Sequence, residues 1–545
     1  MQQIKVYKYY FSKLLSILLT IVLVLSCFVL SGCSKDEDDG SGHTFTYALE
    51  SNPKNLDPQI ASDKPSLMII ENMFLGLMTF DKDNNLVCGA ARDYDVSDDG
   101  LRYHFDLRDD CMWYSKDGTS KKVTAHDFVF AFKRIFNPVT MSPYRETFSF
   151  LQNAEKIING EADYSELGVY AINSTELVFY LDEADSEFLY LLTTSPAMPC
   201  NKDFFDSTKA RYGLDEQSVI SNGAFYITQW FYDKYGSDNL IYMQKNYLNS
   251  EYDRVYPYLL KFTIKKNTAD VYEQFKNETS DCVIADNGFK KTLTGSNTYD
   301  KYQSKSLGII FNMNTKLDST VRKALILGID REKLKSSLND YYAPAYGLLP
   351  ASLGNAALRY REKYDETGLD IYSESSELSQ SEAQKFSDQY DSEPSVMVLQ
   401  SMDSGFMNQV VAQWQENLNL FISLDYVDDQ EYYERLENGD YIFALAEIDS
   451  VNNSACSYLN DVISQLNMQE SKENKFMSLT HEYKTDLSDD SMDILYEAEN
   501  EILNESNFIP VFYKNEFLVS KNEIKDLIFN PFSGQINFRY AKFFD

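Results

Sequence analysis

One stretch of the sequence has the oxygen-rich spacing of a calcium-binding loop. The residues at EF-hand positions 1, 3, 5, 6 and 12 are Asp95, Ser97, Asp99, Gly100 and Asp106. Position 12 normally carries a glutamate that binds calcium through both of its oxygens, and here it is an aspartate. From Leu101 onward, apolar and polar residues alternate as in a strand, which argues against the helix that follows an EF-hand loop. We therefore expect a turn and a strand here, without calcium.

The other candidates for chemistry are fragments of catalytic motifs. Ser51-Asn52-Pro53-Lys54 matches S-x-x-K without the accompanying K-T-G, and His481-Glu482 lacks the second histidine of H-E-x-x-H. The sequence has neither a G-x-S-x-G nucleophile elbow nor a P-loop. Its four histidines are far apart along the chain: His43, His104, His126 and His481. We predict that the protein is not an enzyme and uses neither a metal nor another cofactor.

Residues 1–32 have the pattern of a signal peptide, and a cysteine follows them. Lys5, Lys8 and Lys13 form a positive region, and 14–30 is an uncharged apolar run just short of the roughly 18 residues that suggest a transmembrane span. The end of this run, Leu30-Ser31-Gly32-Cys33, resembles the bacterial lipobox, in which the chain is cut before the cysteine and the thiol receives lipid.

A lipid anchor at Cys33 would hold the protein on a membrane, because each buried CH₂ of an acyl chain contributes about 0.8 kcal/mol. The segment 33–43 is acidic and rich in Gly and Ser, which is typical of a flexible tether. The alternative is ordinary secretory cleavage, in which Cys33 carries no lipid.

Composition limits the partners and the number of domains. About 500 residues follow the tether, too many for one hydrophobic core, so we expect two or three lobes. The formal net charge is −34, and removal of the three leader lysines lowers it to −37, which argues against binding to nucleic acid or anionic headgroups. Five further cysteines are scattered without C-x-x-C spacing, so neither a zinc site nor a disulfide framework is predicted: Cys88, Cys111, Cys200, Cys282 and Cys456.

Apolar periodicity predicts strands that alternate with helices. A strand is predicted over 101–107, and an amphipathic helix over 124–136 behind a capping box. Further on, the pattern predicts a buried strand over 307–311 and a helix that begins after Asp330 as its N-cap. This alternation indicates α/β layers.

Six stretches of the chain, in the same order, resemble the oligopeptide- and dipeptide-binding lipoproteins that serve ABC importers. They are NPKNLDPQ, ENMFLGLMTFD, VSDDGLRYHFDLRDDCMWYSKDGTSKKVTAHDFVFAFKRIFNP, ISNGAFYITQW, LGIIFNMNTKLDSTVRKALILGIDREKL and EAENEILNESNFIPVFYKNEFLV. The resemblance covers nearly the whole chain after the leader. It implies an α/β, two-lobed fold like that of periplasmic binding proteins, with an extra inserted domain and a ligand cleft between the lobes.

The resemblance also implies domain boundaries. Lobe I would comprise 44–80, 213–310 and 514–545, the inserted domain 81–212, and lobe II 311–513. The chain would cross between the lobes near Ile310-Phe311-Asn312 and near Phe512-Tyr513-Lys514, and two crossings make a hinge. A ligand that contacts both lobes stabilises their closed arrangement.

In this family, an aspartate in a W-x-x-D-Y-type segment of the second lobe commonly holds the amino group of the peptide. The matching segment here, ALAEIDSVNNSACSYLN, has Ile448 at the tryptophan position and Val451 at the aspartate position, so Asp449 would have to substitute by a small shift of register. Amide side chains could pair with the peptide backbone. The candidate ligand contacts are Asn55, Gln59, Asp449, Asn452, Asn453 and Tyr513.

We therefore expect an extracytoplasmic monomer, anchored by lipid to the bacterial cell membrane, that captures peptides and delivers them to the permease and ATPase subunits of an ABC importer. Two alternatives stay open. One is a sensor lipoprotein of the same fold without a transport role, such as a pheromone receptor. The other is a receptor of a different polar solute such as a metal chelate, which the small number of histidines disfavours.

Overall fold

The structure is a computed structural model in which residues 43–545 form one compact unit. The residues it describes are 42–83, 85–118, 120–295, 297–312, 315, 317, 319–337, 342–350, 360–364, 369, 394–402, 404–449, 458–459, 462, 470–486, 491–504, 508–529 and 535–544. The predicted leader, Cys33, most of the tether, Asn452 and Asn453 lie outside the described residues.

The described chain contains strands and helices in alternation. The strands are β1 (Thr44–Leu49), β2 (Met78–Phe80), β3 (Leu86–Cys88), β4 (Ala91–Val96), β5 (Arg102–Leu107), β6 (Met112–Tyr114), β7 (Ser120–Lys122), β8 (Val169–Ala171), β9 (Glu176–Tyr180), β10 (Phe225–Phe231), β11 (Leu240–Lys245), β12 (Leu259–Ile264), β13 (Cys282–Asp286), β14 (Asn297–Phe311), β15 (Tyr342–Pro344), β16 (Ser395–Leu399), β17 (Ser423–Val427), β18 (Phe443–Asp449), β19 (Phe508–Lys521), β20 (Ile524–Lys525), β21 (Ile528–Phe529), β22 (Ile536–Asn537) and β23 (Lys542–Phe543). The helices are α1 (Lys64–Met73), α2 (Ala125–Phe136), α3 (Ala154–Ile158), α4 (Phe188–Leu191), α5 (Lys202–Ser207), α6 (Thr268–Lys276), α7 (Asn287–Thr292), α8 (Ser319–Leu327), α9 (Arg331–Ser337), α10 (Tyr360–Lys363), α11 (Met407–Leu418), α12 (Asp429–Asn438), α13 (Glu470–Thr485) and α14 (Ser491–Asn504). The predicted α/β class is confirmed.

Eleven strands form one mixed sheet, which has two halves. Its order is β10-β11-β12-β1-β13-β19-β14-β18-β16-β17, with β15 paired to β19. In the first half β1 runs parallel to β12 and β13, and in the second half β16 runs parallel to β17 and β18. Parallel strands need crossover connections, and helices supply them here.

Polar caps start several helices soon after these parallel strands. The side chains of Asp63, Asn267, Asp286 and Asp428 accept hydrogen bonds from backbone N–H groups in the first turns of α1, α6, α7 and α12. Each cap satisfies a donor that the helix itself leaves unpaired, which fixes the residue at which the helix begins.

The predicted inserted domain is built on a second, antiparallel sheet of order β4-β5-β9-β8. The predicted strand over 101–107 is present as β5, with Tyr103, Phe105 and Leu107 buried. Helix α2 begins at the predicted capping box, formed by Thr124 and Asp127. It buries its apolar side, including Phe128 and Phe132, which confirms the amphipathic helix.

The other elements predicted from the sequence lie around the part of the sheet that contains β14, β18, β16 and β17. The strand predicted over 307–311 is the end of the longer β14, and Asp330 caps α9 by accepting a hydrogen bond from the Lys333 amide at 2.9 Å. Trp414 on α11 is fully buried and donates its indole N–H to the Leu325 carbonyl at 2.9 Å. The helical spacing of Trp414 in VAQWQENLNL suits this core position.

Two long antiparallel strands join the halves of the large sheet. β14 has 15 residues and β19 has 14, and at about 3.3 Å per residue each spans almost 50 Å. β13 pairs with 516–520 of β19, whereas β18 pairs with 305–311 of β14. Between these two regions the β14/β19 register shifts at Tyr302/Lys305, as in a β-bulge.

The two largest hydrophobic cores of the described residues lie on either side of this register shift. The residues of the first core come from the sequence between Phe45 and Cys282 and from Leu518 onward, so this core includes the predicted inserted domain. The residues of the second core come from the sequence between Leu307 and Phe512. We refer to the parts built on these cores as the first half and the second half. The shift lies upstream of the crossing predicted at Ile310-Phe311-Asn312 and next to the one predicted at Phe512-Tyr513-Lys514; the lobe boundaries themselves stay predictions.

Gly308 tests how tightly the shared strands pack. A Cβ at this position would lie 2.5 Å from the Ile509 carbonyl oxygen and closer still to the Phe508 ring. Gly308→Ala should therefore lower the free energy of unfolding by about 1–3 kcal/mol, measured by urea denaturation. Gly405→Ala is the matched control, because a Cβ there meets no atom within 4 Å. Equal stability of the two variants would contradict the close packing.

Candidate functional site

Strands β13 and β18, one from each half, end beside the same register shift of β14 and β19, which we call the predicted hinge. The last residue of β13, Asp286, pairs with Glu516 of β19, and the last residue of β18, Asp449, pairs with Lys305 of β14. Both pairs lie next to the register shift between β14 and β19. Ligands of open α/β sheets bind outside the carboxyl ends of the strands, so the space between these two sets of ends is the candidate ligand cleft.

Charged side chains lie on the shared strands at this point. Lys305 Nζ is 3.3 Å from Glu447 Oε1, and Lys514 Nζ is 3.6 Å from Glu447 Oε2. Lys305 stands directly opposite Lys514 in the β14/β19 register. The side chains of Lys305 and Glu447 are only 14% and 26% exposed. This cluster therefore brings two cations and one carboxylate together beside the register shift.

The hinge also contains a buried amide pair. Gln303 Nε2 donates to Asn515 Oδ1 at 2.6 Å, and the two residues are 6% and 5% exposed. Unpaired polar groups are costly to bury, so a mutual hydrogen bond lets polar residues occupy the boundary between two apolar cores. The alternation of charged and polar residues in KYQSKS, directly before the apolar LGIIF, is the sequence signal that could have pointed to this region.

The candidate ligand contacts after β1 are held inside the first half. The Gln59 amide donates to the Pro196 and Met198 carbonyls at 3.2 and 2.9 Å, and its Oε1 accepts from Arg134 at 2.6 Å. Gln59 is fully buried, so its side chain ties the segment after β1 to the predicted inserted domain. Asn55 Oδ1 accepts from the Asp57 amide at 2.6 Å, which shapes the same turn. Their roles as ligand contacts stay predictions.

A buried ion pair fixes this turn. Asp57 accepts two hydrogen bonds from the Arg134 guanidinium, one at 3.0 Å and the other through Nη2, and their side chains are 4% and 7% exposed. Burial lowers the pKa of Arg134, but hydrogen bonding and the charge of Asp57 outweigh it and raise that pKa above its usual value. The guanidinium also stacks 4.1 Å from the centre of the Phe205 ring.

The candidate contacts of the second half are located differently. Asp449 is the last residue of β18 and stands opposite Lys305, whereas Asn452 and Asn453 follow it outside the described residues. Tyr513 is 2% exposed and donates its hydroxyl to the Gly347 carbonyl at 2.9 Å. The strand register therefore places Tyr513 and Asp449 near the hinge, and the role of each in ligand binding stays a prediction.

A buried carboxylate holds the chain around Gly347 against β19. Glu499 on α14 accepts hydrogen bonds from the Leu348 and Leu349 amides at 2.6 and 3.0 Å and from the Tyr360 hydroxyl at 2.7 Å. It also pairs with Arg361, whose side chain is 8% exposed. Charge-assisted bonds of this kind are stronger than neutral ones, so this network stiffens the second half beside the hinge.

The described residues contain neither a metal-binding cluster nor a membrane-spanning helix. They contain no group of three or more His, Cys, Asp or Glu side chains placed to hold a metal, and no helix among them combines the length and apolar composition of a membrane span. Within the same residues Cys88, Cys111, Cys200 and Cys282 are free thiols. Burial raises the pKa of Cys111 to about 11 and that of Cys200 to about 12, which keeps both protonated and unreactive.

Comparisons with known proteins agree on a family. The model of bacterial extracellular solute-binding proteins, family 5 Middle, matches residues 85–470. The oligopeptide-binding protein OppA of Bacillus subtilis is 24% identical over 562 residues, which cover 97% of this chain and 99% of that protein. The dipeptide-binding protein of Lactococcus lactis is 29% identical over 207 residues, which cover 38% of this chain and 36% of that protein. These matches confirm the resemblance drawn from the sequence.

Solved structures show the same fold. The unliganded open form of the periplasmic murein tripeptide-binding protein MppA has a TM-score of 0.72 at 19% identity, covering 92% of this chain and 97% of that one. The pheromone receptor PrgZ has a TM-score of 0.66 at 21% identity, covering 92% and 99%. The predicted periplasmic-binding-protein-like fold is confirmed.

Removal of the buried charge at Asp57 should destabilise the protein. Asp57→Asn leaves the Arg134 cation buried without its carboxylate, so we expect the free energy of unfolding to fall by about 3–5 kcal/mol in chemical denaturation. Asp206→Asn, which breaks the exposed Lys202–Asp206 pair, is the control and should leave stability unchanged. If both variants unfold at the same denaturant concentration, the Asp57–Arg134 pair has no structural role.

Proposed function

The chain belongs to the bacterial extracellular solute-binding proteins of family 5, and from this premise we propose that it captures peptides between its two halves and delivers them to an ABC importer. The observation that carries the proposal is the arrangement of two sets of parallel strands whose carboxyl ends meet at one hinge. A ligand in this cleft contacts both halves, so it stabilises the closed arrangement that a transporter recognises.

The chemistry of the cleft suits a peptide. A peptide has charged ends and a backbone whose N–H and C=O groups cost about 1–3 kcal/mol each if they are buried unpaired. Glu447 and Asp449 offer negative charge to an amino group, and Lys305 and Lys514 offer positive charge. Asn452 and Asn453 supply amides for the peptide backbone. The names of OppA and of the Lactococcus lactis dipeptide-binding protein point to the same class of ligand.

The receptor works outside the cytoplasm, on the outer face of the bacterial cell membrane. Lipid on Cys33 anchors it, the polar segment 33–43 gives it reach, and it acts as a monomer with separate permease and ATPase subunits. It catalyses no reaction, uses no cofactor and does not bind nucleic acid. Lobe I, the inserted domain and lobe II have the boundaries that the sequence predicts.

Sensing is the second candidate function. A pheromone receptor has the same fold, and the segment that carries the family's aspartate is altered in this chain. Uptake of labelled peptide by cells with and without the gene separates the two functions, because a sensor that binds peptide leaves uptake unchanged when it is deleted.

Peptide capture is tested directly by native mass spectrometry. The full-length protein, purified in detergent and exposed to a random peptide mixture, should retain peptides of a defined length range, because the cleft closes over a limited length of backbone. A folded protein that retains none would contradict peptide capture and favour a different polar solute.

Asp449→Asn tests whether the Asp449 carboxylate binds the amino group of the peptide. This variant should weaken binding of free-amino peptides about tenfold or more and leave acetylated peptides nearly unaffected, since only the former carry a cation for Asp449. Asp440→Asn, an exposed position in the same half, is the control for a general charge effect. Calorimetric titration gives both affinities, and equal losses for the two peptides would remove Asp449 from this role.

The lipid anchor is tested with Cys33→Ala. Without the thiol that receives lipid, the protein should appear in the medium or in the soluble fraction instead of the membrane fraction. Cys88→Ala is the control, because Cys88 is a free thiol on β3 of the folded unit. A Cys33→Ala protein that still partitions with membranes would show that lipid on this residue is not the anchor.

A further inference from the structure

The two halves also meet at a place outside their shared strands. The segment 183–187, between β9 and α4, belongs to the first half, and the C-terminal turn of α13 belongs to the second. The Ser186 amide donates to the Lys484 carbonyl at 2.8 Å, and the Ser186 hydroxyl donates to the Tyr483 carbonyl at 3.4 Å. Donors from one half thus reach carbonyls at the end of a helix in the other, where such groups lack intrahelical partners.

An ion pair and a histidine–carboxylate contact lie beside these hydrogen bonds. Lys484 Nζ lies 3.7 Å from Asp185 Oδ2, and the imidazole of His481 lies 3.4 Å from Glu183 Oε2. The Lys484 cation and the His481 imidazole come from α13, and the carboxylates come from the first half. Lys484 near the end of α13 also complements the negative end of its helix dipole.

Asp185 differs from an ordinary surface carboxylate. Its side chain is 1% exposed, whereas that of Lys484 is 36% exposed. Asp185 Oδ1 accepts from the Glu187 amide of its own segment at 2.8 Å, so the cation that faces Oδ2 comes from the other half. Burial raises the pKa of Asp185, and Lys484 partly offsets this rise. Stabilisation of this buried charge therefore depends on how the halves are arranged.

This contact restricts how the halves move. The predicted inserted domain shares one core with lobe I, so it moves with the first half as one body. If β14 and β19 were the sole connection, the two bodies could rotate about the bulge. A second contact at a different place restricts this rotation: either it stays formed and the bodies rotate about it, or it must break. Its strength decides the populations of the alternative arrangements.

We propose that segment 183–187 and the end of α13 form a latch that holds the two halves in the arrangement seen here and governs how readily the cleft changes its width. The latch goes beyond the proposed function, because its existence depends on the contact between the halves and not on the ligand. Only its effect on ligand affinity rests on peptide capture.

The test is hydrogen exchange of the Ser186 amide in the full-length protein without ligand. Lys484→Met and Asp185→Asn each remove the charge pair, and asparagine keeps an oxygen for the Glu187 amide. Each variant should speed exchange at Ser186 about two- to five-fold, the range of a partly exposed ion pair. The double variant should add little to either single variant, because both remove the same interaction.

Lys333→Met is the matched control, because the Lys333–Glu416 pair lies within the second half. It should leave exchange at Ser186 unchanged. Exchange of the β5 amides reports whether the first half stays folded. If Asp185→Asn disturbs the fold of the first half, Lys484→Met still tests the latch, because Lys484 lies in the second half. Small-angle scattering should show a wider distribution of lobe separations in both variants. Unchanged exchange at Ser186 in both variants would overturn the latch, whether or not the protein binds peptides.

Discussion

The continuous pairing of β14 with β19 is the constraint on which the rest of the structure depends. Each strand is long enough to contribute to both halves of the sheet, so both cores are assembled on the same pair of strands. Where a core covers one face of a strand, the side chains on that face must be apolar. The register of β14 against β19 decides which residues lie on that face. The two strands thereby fix where each core ends and where the hinge lies.

The hinge differs from both cores because its side chains are polar. Apolar residues at this position would merge the two cores into one. Polar side chains separate the cores instead. Gln303 and Asn515 form a hydrogen bond with each other. Lys305 and Lys514 both pair with Glu447. Such residues cost stability when they are buried, so their presence between two well-packed cores marks this place as the candidate functional site.

Local patterns predicted the elements better than they predicted the site. The strand β5, the capped helix α2 and the core position of Trp414 follow from periodicity within a few residues of sequence. β14 begins well before the apolar run that was predicted, because the part that lies at the hinge carries charged residues and shows no apolar alternation. The partner of a buried side chain cannot be found in this way: Gln59 and Asp57 are bound by Arg134, which only the tertiary fold brings beside them. A polar residue near a predicted cleft has the same sequence signature whether it faces a ligand or anchors a turn.

The buried Asp57–Arg134 ion pair joins the predicted inserted domain to predicted lobe I. Asp57 and Gln59 lie in the segment after β1, Arg134 lies on α2, and the cores beneath them are continuous. Relative motion of these two parts would expose an ion pair that is less than a tenth exposed and break hydrogen bonds that the segment needs, so the weaker boundary lies elsewhere. Among the described residues it lies along the predicted hinge, where β14 and β19 cross, and at the contact of Asp185 with Lys484, where one partner is already partly in water. The described residues therefore pack into two bodies, although the sequence predicts three domains.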